Sequence, residues 1–79
     1  LKFNISYISG NYIFMKILVG EILFKRNISY AQLAMMTGIP KSTIADICNG
    51  RSMPRINTLE IIAKVLKLRI TDLFDSEYK

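Results

Sequence analysis

With 79 residues, 51% of them apolar and 22% charged, the chain is sized for one globular domain with a small core and is too apolar to be disordered throughout. A surplus of 11 basic over 6 acidic residues gives a net charge of +5; it points to an anionic partner, nucleic acid before an anionic membrane surface, with plain solubilising charge as the bland alternative. The single cysteine, Cys48, and the lack of histidine exclude an internal disulfide, zinc-finger spacing and a histidine-based catalytic triad within this chain.

Residues 1–14, LKFNISYISGNYIF, alternate Leu1, Phe3, Ile5 and Tyr7 with Lys2, Asn4 and Ser6, which is strand periodicity, and residues 9–11 can turn the chain. A lone strand is not stable, so this one needs a partner in residues 12–16 or in another subunit. The other reading is that Met15 is the natural start and residues 1–14 are an extension read from upstream. Asn4, Ser6, Asn11, Lys16 and Glu21 break the apolar start of the chain before it reaches the length of a membrane span. No small-residue cleavage site follows it, so a soluble, cytoplasmic protein is expected. Without a secretion signal, the glycosylation sequons at Asn4 and Asn27 carry little weight.

From residue 15 onward the pattern is helical. Residues 15–26, MKILVGEILFKR, predict a first helix, weakened by Gly20. Ser29 with Gln32 three residues later is a capping-box pattern, and Leu33, Met36 and Tyr30 line one side of the helix that follows. Gly38 supplies a turn, and Pro40 suits the first position of a third helix over residues 40–48, stopped by Asn49 and Gly50. After the basic loop GRSMPR, Asn57 and Glu60 form a second cap-like pair. Leu59, Ile62, Ala63 and Leu66 then recur at i, i+3, i+4 and i+7, with Glu60 and Lys64 as an exposed pair. Thr71 caps a last turn holding Leu73 and Phe74. The expectation is an all-α bundle of five short helices over residues 15–75, with a polar tail at 76–79.

The acids are scattered rather than paired, and no enzyme chemistry, cofactor or metal site is legible. Charge is uneven: residues 1–69 carry ten Lys and Arg against Glu21, Asp46 and Glu60, whereas the last ten residues carry Asp72, Asp75 and Glu77 against Lys79. Cys48 and the methionines Met35, Met36 and Met53 read as packing residues, and Lys64, Lys67 and Arg69 as a solvated face.

The stretch YAQLAMMTGIPKSTIADICNG, residues 30–50, with the TLEIIAKVLKLRITDLF that follows, resembles the helix-turn-helix domain of the Cro/C1-type (XRE-like) regulators, the lambda-repressor-like fold. In that pattern Ala34 is the small residue where the two helices cross, Gly38 occupies the turn, and Leu33, Ile39, Ile44 and Ile47 anchor the unit in the core. The resemblance implies a DNA-binding transcriptional regulator, a repressor acting as a homodimer on double-stranded DNA with two-fold-related half-sites. The helix at 40–48 would lie in the major groove, with Lys41, Ser42, Ala45 and Asp46 at base edges. Tyr30, Gln32, Thr43, Asn49, Arg51 and Arg55 match positions that meet the phosphate backbone. Leu73 and Phe74 are dimer-interface candidates by the same analogy.

Two positions depart from the family pattern. Pro40 stands where serine or threonine commonly caps the recognition helix, and Asp46 stands where a donor is common. Asp46 either accepts from cytosine N4 or neutralises Lys41 or Arg51. The first helix also departs: Val19 and Ile22 match inward positions, but Ile17, Leu18, Leu23 and Phe24 are apolar where charge is usual. The patch around Leu18, Leu23 and Phe24 motivates a competing reading, a protein-interaction or antitoxin-like module that docks a protein partner on the first helix.

Overall fold

The structure is a computed structural model that describes residues 15–78. The strand and turn read in residues 1–14 lie outside the described residues, as does Lys79. Four α-helices follow in order, α1 (Val19–Arg26), α2 (Tyr30–Thr37), α3 (Lys41–Cys48) and α4 (Ile56–Leu66), and then a 3-10 turn (Ile70–Leu73). Two short strands join the ends of the domain: β1 (Lys16–Ile17) pairs antiparallel with β2 (Phe74–Asp75), Lys16 opposite Asp75 and Ile17 opposite Phe74. The Leu18 N–H extends the pairing to the Leu73 carbonyl at 2.8 Å.

The expected bundle of five helices is therefore four helices and a 3-10 turn. The expected first helix loses its opening residues, because Lys16, Ile17 and the Leu18 N–H find their backbone partners across the fold, and only the Leu18 carbonyl bonds one turn ahead, accepting from the Ile22 N–H at 3.1 Å.

The core draws on every helix. Val19 and Leu23 come from α1, Leu33 from α2, Ile44 from α3, and Leu59, Ile62, Ala63 and Leu66 from α4, with Leu73 closing the cluster. Burial of Leu23 corrects the expected exposed patch on the first helix. It stands four residues after Val19 and so shares its inward face. Leu18 is half-buried, and Phe24 alone of that trio is exposed, at 86%. Leu73 is fully buried, so it belongs to the core rather than to a free dimerisation surface. The three methionines read as packing residues, Met35, Met36 and Met53, are instead exposed. On α2 the inward stripe runs through residues 30, 33, 34 and 37, which turns 35 and 36 outward.

Capping is met in one place and displaced in two. The Ser29–Gln32 box forms as expected: the Gln32 N–H donates to Ser29 Oγ at 3.0 Å and the Ser29 N–H to Gln32 Oε1 at 2.7 Å. At α4 the first helical carbonyl belongs to Arg55, which accepts from the Leu59 N–H, so Asn57 lies inside the helix and caps nothing. Glu60 and Lys64, both exposed, do not pair. The 3-10 turn is entered at Arg69, whose N–H donates to Asp72 Oδ2 at 3.0 Å, rather than at Thr71. Arg26 supplies a bond that local patterns do not announce. Its Nη1 donates to the Leu66 carbonyl at 2.7 Å, tying the end of α1 to the end of α4.

Candidate nucleic-acid interface

The unit formed by α2, the turn at 38–40 and α3 is held by local bonds. Thr37 Oγ1 donates to the Leu33 carbonyl at 2.8 Å and accepts from the Ile39 N–H at 3.1 Å, joining the end of α2 to the turn. Gly38 takes a left-handed conformation, φ 81°, and its N–H closes on the Ala34 carbonyl at 2.8 Å. A β-carbon on any L-residue is disfavoured there, which is why glycine occupies the turn. Ala34 and Ile39 are half-buried against the core.

Ile44 and Ile47, 1% and 3% exposed, fix the rotation of α3. With them inward, Lys41, Ser42 and Thr43 stand exposed on the first turn, and Ala45 and Asp46 are half-buried along its side. Pro40 precedes α3 as its cap residue, one position earlier than a first helical residue, and no side chain caps the helix. The first-turn N–H groups therefore face outward beside Lys41 without a capping oxygen, an arrangement that favours an anion.

The far end of α3 is closed by a second reversal. Gly50 is left-handed, φ 78°. The Arg51 N–H reaches back to the Asp46 carbonyl at 2.8 Å and the Gly50 N–H to the Ile47 carbonyl at 3.3 Å, the pair of bonds that defines a Schellman motif. This reversal carries Arg51 against Asp46, and its Nε donates to Asp46 Oδ1 at 2.9 Å. Of the two roles open to Asp46, neutralising a neighbour is thus met through Arg51.

Gly20, read from sequence only as a flaw in the first helix, is where α1 meets α3. A β-carbon there would lie 3.3 Å from Cys48 Cβ, tighter than ordinary contact. Cys48 is half-buried beside it and packs against the core. Burial pushes its thiol above the usual value, and a hydrogen bond with Tyr30 works the other way.

The expected backbone-contact residues divide. Gln32, Thr43, Asn49, Arg51 and Arg55 are exposed, at the start of α2, on α3 and in the loop after it. Tyr30 is half-buried, packed against the core and bonded to Cys48, so only part of its side chain faces outward. Sequence reasoning missed Thr37, whose hydroxyl braces the turn; a threonine at the end of a helix just before a glycine was the available signal.

No helix among the described residues is long and apolar enough to cross a membrane. Compared with known proteins, the chain finds no match among curated sequences. A crystal structure from Bacteroides fragilis, named as that of a "putative DNA-binding protein", superposes with a TM-score of 0.72 at 22% identity, covering 78% of this chain and 100% of that one. At that identity the likeness establishes the fold. The family described as "Helix-turn-helix" matches residues 21–73, which takes in α2, the turn, α3 and the whole of α4. The chain belongs to the Cro/C1-type helix-turn-helix family.

Proposed function

We propose that this chain is a sequence-specific DNA-binding transcriptional regulator, a repressor that occupies a two-fold-related operator as a homodimer and inserts α3 into the major groove. One observation carries the reading: α3 spends its two large apolar residues, Ile44 and Ile47, on the core and leaves an uncovered turn of Lys41, Ser42 and Thr43. An eight-residue helix is too short to be stable by itself. Its outward residues are small, polar or cationic, which suits a groove of base edges and phosphates.

In this reading Lys41 donates to guanine O6 or N7, Ser42 bonds either base type, and Ala45 meets a thymine methyl. Thr43, Asn49, Arg51 and Arg55 hold phosphates on either side, with Gln32 at the start of α2. A single module reads few bases, so two-fold pairing supplies the specificity. The competing reading, a protein partner docked on the first helix, loses Leu23 to the core and keeps Phe24.

Selection from randomised duplex DNA at about 0.15 M salt tests the proposal. Enrichment of an inverted repeat is the expected result. Recovery of a single half-site would remove the dimer from the reading, and no enrichment at all would remove sequence-specific binding.

A further inference from the structure

We propose that Asp46 is a positioning residue for Arg51, setting a phosphate-binding guanidinium at the end of α3, and does not itself read a base. The inference rests on the DNA-binding reading above and assigns a role within that site.

Three bonds carry it. The Asp46 carbonyl accepts the Arg51 N–H at 2.8 Å and the Ser52 N–H at 3.3 Å, while its carboxylate accepts Arg51 Nε at 2.9 Å. Backbone and side chain of one residue thus hold backbone and side chain of the other. The bond uses Nε, the inner corner of the guanidinium, and leaves both Nη groups for a bidentate grip on a phosphate. A flexible arginine would lose side-chain freedom on meeting a phosphate; one already tethered loses less. Both side chains keep solvent contact, 62% exposed for Arg51 and 46% for the half-buried Asp46, so the tether is of surface strength.

Charge alone gives the opposite expectation, which makes the inference testable. Replacing Asp46 with alanine removes a negative charge from a surface that would face phosphates, and long-range electrostatics then predicts tighter binding. Positioning predicts weaker binding, by about two- to fivefold per domain, the range of an exposed ion pair.

The experiment measures affinity of the 79-residue chain for its selected duplex and for random duplex, across a series of salt concentrations, by fluorescence anisotropy. Asp46→Ala should weaken both duplexes equally. Asp46→Asn, which keeps an acceptor for Nε, should restore most of the loss. Arg51→Ala should lower the salt slope by about one. Adding Asp46→Ala to Arg51→Ala should then cause no further weakening, and only the tightening that loss of a negative charge gives by itself; a further loss would overturn the inference.

Equal or tighter binding by Asp46→Ala would overturn the inference. So would a loss confined to the selected duplex, with one base position relaxed, because that is the signature of a base reader. A wild-type chain that binds no duplex at any salt would remove the DNA-binding reading, and this role with it.

Discussion

Gly38 offers a test in which sterics and backbone conformation can be separated. A β-carbon built there meets nothing within 4 Å, so space does not restrict the position; its φ of 81° does. Holding an L-residue in the left-handed region costs roughly 1–2 kcal/mol. Replacing glycine also stiffens the unfolded chain, which returns about 0.4–1 kcal/mol. Gly38→Ala should therefore destabilise by roughly 0.5–1.5 kcal/mol, or about 2–10 °C in Tm for a domain of this size. Asparagine tolerates the left-handed region better than alanine, and a β-branched residue tolerates it worst. The expected order of stability is thus Gly38, then Asn, Ala and Val, although Asn is larger than Ala. Thermal and urea denaturation followed by circular dichroism would establish the order. A ranking by side-chain size, with Asn below Ala, would show that crowding controls the position and refute the conformational argument.

Other consequences can be checked alongside it. Ile44 is 1% exposed at the junction of α3 with the core, so Ile44→Val should cost about 0.5–1.5 kcal/mol and Ile44→Ala about 2–5, the latter enough to unfold a marginal domain. Lys67 holds φ 60° at the end of α4, and Lys67→Gly should stabilise by about 0.5 kcal/mol, the relief of left-handed strain less the added freedom of the unfolded chain; a loss of stability would contradict that sign. The Cys48 thiol, pushed up by burial, should alkylate more slowly than a free thiol. Because the folded state holds this proton more tightly than the unfolded one, its contribution to stability is complete below the ordinary thiol value and is lost as pH rises through the folded value. Iodoacetamide labelling and alkaline denaturation read the two effects.

What could be read from the sequence was what depends on near neighbours. The Ser29–Gln32 box, the Gly38 turn and the Leu59–Ile62–Ala63–Leu66 stripe each lie within one or two helical turns, and each is met in the structure. The exposed face of α3 followed from placing Ile44 and Ile47 inward. What was hidden depends on distant partners. Two-residue strands carry no periodicity, so the pairing of Lys16 with Asp75 left no trace in either segment. Nor does the sequence near Arg26 point to the Leu66 carbonyl that it bonds. The Asp46–Arg51 pair was half legible: proximity in sequence offered both Lys41 and Arg51 to Asp46, but the spacing i, i+5 lies outside the helical charge-pair pattern, and the choice of Arg51 follows from the reversal at Gly50. Gly20 was read only in part for a related reason: propensity describes a helix alone, while the structure also uses the missing side chain to bring α1 against Cys48.

Lys41 is where stability and the proposed function pull apart. It stands in the first turn of α3, at the positive end of the helix dipole, where a cation is disfavoured by about 0.3–1 kcal/mol, and Pro40 offers no capping oxygen to compensate. Its side chain is exposed and outside the core. Folding alone thus gives no reason for a lysine here, and Lys41→Ala should leave the domain as stable or slightly more stable. If Lys41 reads guanine, the same change should weaken binding to the selected duplex by about 1–3 kcal/mol while random duplex loses far less. Measured together, denaturation and binding separate the two demands on the position. A variant that lost stability would mean that Lys41 supports the fold through a contact not visible in the free domain. A variant that kept both its stability and its preference for the selected duplex would move sequence reading off this turn and onto Ser42 and Ala45.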